Sequence, residues 1–475
     1  MNRAVGFIVA AAIAGSGCGD NFGPPPLTGD QLMARLRKLD GVTVERGVLP
    51  EKTTVPRNVS YYILHFTQPV DHDHPELGTF QQQVSLLHRN DVAPVPMIVN
   101  TSGYSDGWGA KRVELTELFD ANQVSIEHRY YGDSRPVPTD WTKLTIQQMA
   151  ADEHAIIAAL HTIYGGAFLT TGASKGGMTA LFHRRYYPDD VDGTVAYVAP
   201  MTFGAPDKRY PAQFNKIGSD ECREAVRTVA RAMLAHREEM VELAAAQPGH
   251  DYNRVALGPS VEAAIAGLEW GFWQMWGAPD CMNVPAPTAS AADLFDFLDK
   301  ISPVGDYDDD KVAYYEPYVY QTYTQLGYPD DSVAYLARDL VYTEADYLGE
   351  LPTAEPPYDD NAMRDIQDWV DNEGSRLMLV YGEWDPWFAG RLALSDAADS
   401  ETFILHEGTH KAQLRALEPF KRDPALAMLA RWTGVDPVVQ RPPLRRADDT
   451  PLVSDAEREA PRLPALPRRA LGARR

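Results

Sequence analysis

Ala167-Phe168-Leu169-Thr170-Thr171-Gly172-Ala173-Ser174-Lys175-Gly176-Gly177-Met178 is the stretch whose reading decides the fold of this chain. It begins as a short apolar run of strand character, its centre reads Gly-x-Ser-x-Gly, and Met178 to Arg185 continues as a helix. A strand, a sharp glycine-flanked turn and a helix make a nucleophile elbow. The serine backbone is strained there, and its neighbours leave no room for a Cβ. The helix start also brings backbone N–H groups to any oxyanion that forms. The stretch therefore points to serine hydrolase chemistry.

Outward from the elbow, short apolar runs alternate with helical patterns. Met97 to Asn100, Val124 to Glu127, Phe168 to Thr170 and Thr194 to Val198 read as strands, and Lys111 to Phe119, Ile146 to Tyr164 and Met178 to Tyr187 as helices. Ser60 to Phe66 and Thr79 to Leu87 read as an antiparallel pair at a sheet edge. This alternation predicts an α/β fold with a mainly parallel sheet. After Pro200 the pattern becomes helical and rich in Tyr and Asp, with helices expected over Cys222 to Ala246, capped by Ser219 or Asp220, and over Val261 to Trp276. Strands resume at Leu377 to Tyr381 and Thr402 to Leu405. The expectation is an α/β-hydrolase core in two parts, 31–204 and 371–435, with a helical cap inserted at 205–370. Such an insertion sits above the C-terminal strand ends, where ligands bind.

The 475 residues are too many for one small domain and suit a large core with an insertion. A formal net charge of −23 argues against a nucleic-acid partner. Residues 1–18 read as an export signal, with Arg3 as the positive region, Val5 to Ala14 as the apolar region and Gly15-Ser16-Gly17-Cys18 as the small-residue site. A cysteine in that place is a lipidation candidate, although the usual Leu three residues before it is replaced by Gly15; simple cleavage and release is the alternative. The expected location is extracytoplasmic, secreted or lipid-anchored at the cell envelope, with no other membrane attachment. Residues 19–30 read as a tether and 436–475 as a disordered Pro- and Arg-rich tail. The two remaining cysteines, Cys222 and Cys281, are expected to pair in an exported chain, with two buried thiols as the alternative.

A serine nucleophile needs a base, and the base needs a carboxylate to orient it. In α/β-hydrolases the chain order is Ser, acid, His, with the acid after one late strand and the histidine after the next. Here the late strands run into Gly382-Glu383-Trp384-Asp385-Pro386-Trp387 and His406-Glu407-Gly408-Thr409-His410. Asp385 and His410 fall in the required places, with Glu383 and His406 as competitors. Taken singly, the pair could be a capping aspartate and an ordinary loop histidine. The oxyanion hole would use the backbone N–H of Lys175 and one from the loop Thr101 to Gly107, at Gly103 or Tyr104.

Glu127-His128-Arg129-Tyr130-Tyr131-Gly132, Gln68-Pro69-Val70-Asp71-His72 and Gly382-x-x-Asp385-Pro386-Trp387 resemble blocks of the prolyl carboxypeptidase and dipeptidyl peptidase II clan of serine peptidases. The segment Tyr320 to Tyr328 resembles that clan's cap segment, with Tyr323 where a cysteine is usual, and Lys411-Ala412-Gln413-Leu414 lacks the acidic residue that the eukaryotic enzymes usually carry before the Leu. The elbow Gly172 to Met178 is similar to that of the related bacterial secreted tripeptidyl aminopeptidases. The resemblance spans about residues 60 to 415 and implies a serine exopeptidase that takes tripeptides from free N-termini, often with proline preference. It places the triad on Ser174, Asp385 and His410. A dipeptidyl or prolyl peptidase, an esterase or lipase, and a non-catalytic surface binding protein on the same fold are the alternatives.

An aminopeptidase needs a carboxylate for the substrate ammonium. Glu127 is a candidate, with a structural ion pair to Arg129 as its other reading. Tyr318, Tyr320, Trp384 and Trp387 could line an apolar pocket or simply pack the cap on the core. Asp71-His72-Asp73-His74 reads as a solvated turn without metal, and Asp306 to Asp310 as a solvated acidic loop. No cofactor is expected; the partners are peptide substrates.

Overall fold

The computed structural model describes residues 27–49, 53, 55–90, 95–107, 109–330, 333–343, 346–347 and 357–438. The export segment with Cys18, most of the 19–30 segment and 439–475 lie outside the described residues.

Nine strands form one sheet in the order β1-β2-β3-β5-β4-β6-β7-β8-β9. They are β1 Val42–Arg46, β2 Val59–Pro69, β3 Thr79–Arg89, β4 Met97–Thr101, β5 Asn122–Ile126, β6 Phe168–Ala173, β7 Gly193–Tyr197, β8 Leu377–Gly382 and β9 Glu401–Leu405. The first three are antiparallel, β3 is antiparallel to β5, and β4 to β9 run parallel. Residues β4, β5, β6, β7 and β8 are buried on both faces, as parallel strands sandwiched by helices must be. The antiparallel pair was legible, but β1 outside it was not: Val42–Arg46 is short and half-exposed.

The parallel strands divide their side chains between two layers. Ile98, Leu169, Val195, Met378, Val380 and Phe403 face the helices Glu114–Phe119 and Pro419–Thr433. On the other side, Met97, Val99, Val124 and Phe168 meet the helix Ile146–His161, while Ala196, Leu377 and Leu379 meet the helices Lys175–Tyr186 and Ala362–Asn372. The chain order reverses at β4, which lies between β5 and β6. Crevices at the C-terminal strand ends open at such reversals.

Between β7 and β8 the chain is helical and builds its own core from residues such as Val226, Val229, Met233, Val261, Ile265, Leu268 and Leu298. Two expected helices are subdivided. The first breaks at His236, which leaves the helical region (φ −97°, ψ 24°), into Asp220–Ala235 and Arg237–Ala245. No glycine or proline marks that break, so packing imposes it. The second begins earlier, at Leu257 with Pro259 in its first turn, and becomes Leu257–Ala266, Leu268–Gly271 and a wider π-helical turn, Phe272–Trp276, which stops at Gly277.

Several expectations need correcting. The tether boundary is too long, because Thr28 caps a helix that starts at Gly29, with a capping box to Gln31. The 71–74 segment is a solvated turn only in its second half, where Asp73 and His74 are exposed; Asp71 is buried and accepts from Lys143 Nζ and Gln148 Nε2, both at 2.8 Å. The acidic segment 306–310 is also committed to structure. Asp308 caps the helix Asp309–Gln321 and meets His250 at 2.7 Å, and Asp309 accepts from the backbone of Asn253 and Arg254.

Cys222 and Cys281 are joined by a disulfide with Cα atoms 5.5 Å apart and a sequence separation of 59. It pins the first turn of the helix Asp220–Ala235 to the short turn Ala278–Asn283. Closing a loop of that size stabilises by about 4 kcal/mol in the chain-entropy model. The paired variant Cys222→Ser/Cys281→Ser is expected to unfold at clearly lower urea concentration than the parent chain. Coincident urea curves would show that the bridge contributes nothing.

Candidate active site

Ser174 stands between β6 and the helix Lys175–Tyr186 with φ 55° and ψ −126°, a conformation that a residue with a side chain rarely holds. The neighbours enforce it. The Ser174 N–H donates to Tyr197 O at 2.8 Å, and the Ser174 carbonyl accepts from Met178 N at 3.0 Å. Gly176 presses on β4 so closely that a Cβ there would fall on Thr101 O. Thr101 Oγ1 in turn donates to Gly176 O at 2.6 Å. The turn is thus locked between β4 and β7.

The loop after β4 packs onto this elbow. Gly103 has φ +75°, and a Cβ on it would lie 2.6 Å from Gly176 N, so only glycine fits. Tyr104 N–H donates to Ser102 Oγ at 3.3 Å, and Tyr104 O accepts from His128 N at 2.9 Å. The Lys175 N–H lies in the first helical turn, where N–H groups have no acceptor within the helix.

The late strands deliver a buried pair. His410 Nδ1 and Asp385 Oδ2 are 2.5 Å apart, with both side chains 1% exposed. The other Asp385 oxygen accepts from Trp387 N at 3.1 Å, so the turn begun by Pro386 holds the carboxylate. His410 N–H donates to Gln274 O at 2.9 Å, a carbonyl of the π-helical turn in the cap. His410 Nε2 is buried and has no hydrogen-bond partner among the described residues. The two competitors find each other instead: His406 Nδ1 lies 2.6 Å from Glu383 Oε2, at the surface. The backbone N–H of Glu407 also donates to Glu383 and holds its carboxyl below the usual range.

Glu127 is fully engaged inside the core. Its oxygens accept from Asp106 N, Ser134 N and Ser134 Oγ, the last at 2.7 Å, and burial raises its pKa. It braces two loops. It does not pair with Arg129, which is buried on Asp152 at 2.6 and 2.8 Å and also donates to Val70 O and Lys143 O.

The four aromatic candidates separate. Trp387 meets Trp270 at 4.9 Å and Tyr210 at 5.8 Å, and Trp384 meets Trp273 at 6.2 Å. These rings join the acid loop to the cap. The indole N–H groups of Trp270, Trp273 and Trp387 are buried without partners among the described residues. Tyr318 sits edge-on to Tyr104, whereas Tyr320 packs apart from both groups, against Trp141. Tyr210, Trp270, Trp273 and Gln274 were not singled out from sequence; their only signal was an aromatic-rich helical stretch, which ordinary packing also produces.

The chain matches the model of the family described as PS-10 peptidase S37 over residues 41–467. It is 37% identical over 387 residues to the prolyl tri/tetrapeptidyl aminopeptidase of Streptomyces mobaraensis, covering 79% of this chain and 81% of that one. It is 30% identical over 166 residues to the mouse lysosomal Pro-X carboxypeptidase, covering 30% of this chain and 32% of the relative. Among solved structures it is similar to the proline iminopeptidase of Mycobacterium smegmatis, at 13% identity and a TM-score of 0.35, covering 78% of this chain and 97% of that one. The match along most of its length makes this chain a member of the peptidase S37 family, an α/β-hydrolase that is a serine peptidase.

Proposed function

We propose that this serine peptidase is an exported aminopeptidase that releases tripeptides, or fragments close to that length, from free N-termini, with proline preferred before the cut. Its triad is Ser174, His410 and Asp385. The observation that carries the reading is the buried Asp385–His410 pair at the ends of β8 and β9, on the same sheet edge as the strained Ser174. The product length and the proline preference are supported by the name of the Streptomyces mobaraensis relative. Export is supported by the signal-like residues 1–18.

In this mechanism Ser174 Oγ attacks the scissile carbonyl while His410 Nε2 takes its proton. Asp385 fixes the tautomer that carries hydrogen on Nδ1 and stabilises the imidazolium. The tetrahedral oxyanion receives hydrogen bonds from Lys175 N–H and from Gly103 or Tyr104. Tyr104 N–H reaches Ser102 Oγ at 3.3 Å, a contact long enough to be exchanged for the oxyanion. His410 then protonates the leaving amine, and water resolves the acyl-enzyme by the same steps in reverse roles. The cap supports an exopeptidase over an endopeptidase. It bonds to the histidine loop through Gln274 and to the β4 loop through Tyr314, whose hydroxyl meets Ser105 Oγ at 2.6 Å. A roof held at both sides of the crevice leaves access for chain ends rather than for folded surfaces.

Ser174→Ala is expected to abolish turnover and labelling by a fluorophosphonate while leaving the thermal midpoint in place. Asp385→Asn is expected to lower kcat on the order of 10⁴-fold, whereas Glu383→Gln leaves it within about 2-fold. Equal losses from the two acid variants would return Glu383 to contention.

Substrate choice is checked with paired proline-containing peptides that differ only in N-acetylation. Acetylation is expected to lower kcat/KM by about 30-fold or more, the scale of a lost buried charge contact. Mass spectrometry of the products then gives the released length. Equal cleavage of both members of the pair would remove the aminopeptidase reading.

A further inference from the structure

Lys175 follows the serine, and its side chain turns inward. The residue is 3% exposed, and its Nζ donates to Gly103 O at 2.6 Å. The ammonium lies 5.3 Å from the Tyr104 ring centroid and 5.6 Å from that of Tyr131. Those two rings are themselves edge to face at 5.5 Å, and Tyr315 and Tyr318 from the cap helix close on Tyr104 from outside. A lysine ammonium is strongly hydrated in water, so burying it is costly unless its new surroundings hold it firmly. Here a carbonyl and two aromatic faces do so. The neighbouring His128 is kept neutral, first by burial and then by the lysine's own charge.

The carbonyl it grips has a particular place. Gly103 O belongs to the peptide that joins the two candidate donors of the β4 loop, and that peptide is planar, so its carbonyl and the Tyr104 N–H turn together. The rest of the loop is tied toward β5, where Ser102 Oγ donates to Ile126 O at 2.9 Å and Tyr104 O accepts from His128 N. The lysine ties the Gly103 peptide toward the elbow itself. One residue thereby carries both a backbone N–H at the helix start and a side chain that fixes the opposite wall of the oxyanion hole.

We propose that the Lys175 side chain is a positioning residue for catalysis, clamping the Gly103 carbonyl so that the same peptide presents the Tyr104 N–H to the oxyanion. This rests on the reading of Ser174 as nucleophile. The benefit falls on the transition state, because the ground-state carbonyl makes less of the hole than the tetrahedral oxyanion does.

The test uses Lys175→Met in the full chain, which keeps the stem but removes the charge and the donor. With a peptide amide bearing a free N-terminus, kcat is expected to fall about 100-fold and KM to change less than about 3-fold. A peptide aldehyde, which forms a tetrahedral adduct on the serine, is expected to lose affinity by the same factor as kcat/KM. The released peptide product is expected to bind as before, and a fluorophosphonate should still label Ser174, more slowly. Unchanged kcat, or equal losses for aldehyde and product, would overturn the proposal. Where Lys175→Met does not fold, Lys175→Gln, which keeps a neutral donor, is read the same way. Failure of both to fold would make the lysine a folding element and also overturn it. Absence of fluorophosphonate labelling in the unsubstituted chain would instead remove the nucleophile reading, and this proposal with it.

Discussion

The contact on which the site depends is the close approach of β4 and β6 at the elbow. Gly176 lies against Thr101 O, and Gly103 lies against Gly176 N, with no side chain between them. This backbone-on-backbone packing holds Ser174 at positive φ and sets its distance from the loop after β4. The strain at one residue is supported by two parallel strand pairings, β4 with β6 and β6 with β7. The sheet therefore works as a jig, and the chemistry sits where its strands end.

The stretches Gln68 to His72 and Glu127 to Ser134 build much of that jig. Arg129 is buried against Asp152, which also meets His72 Nε2 at 2.7 Å, and the Arg129 guanidinium donates to the carbonyls of Pro69, Val70 and Lys143. Glu127, two residues away, braces the loops at Asp106 and Ser134. Gln82 joins the two systems, donating to Glu127 O while accepting from Gln68. Buried charges and amides of this kind are costly when half satisfied and rigid when fully satisfied. They form the frame beneath the site.

The parts that were legible in sequence are those governed by local rules. The elbow announces itself through its glycines, and the two late strands identify Asp385 and His410 by order and by strand exit. Glu383 and His406 could not be dismissed from spacing alone, and only their mutual contact at the surface separates them from the buried pair. Nothing in the sequence shows that three donors already surround the Glu127 carboxylate. The broken helix at His236 and the π-helical turn at Phe272–Trp276 were illegible for a related reason: their residues have ordinary helical character, and tertiary packing sets their geometry.

The bond between His410 N–H and Gln274 O has a consequence for access. The cap's π-helical turn holds the backbone of the base, and the disulfide to Cys222 anchors the turn that follows it. A rigid upward swing of this part of the cap would carry off a support of the imidazole. The tryptophan-rich corner of the cap is thereby tied both to the His410 loop and, through the disulfide, to the start of the helix Asp220–Ala235.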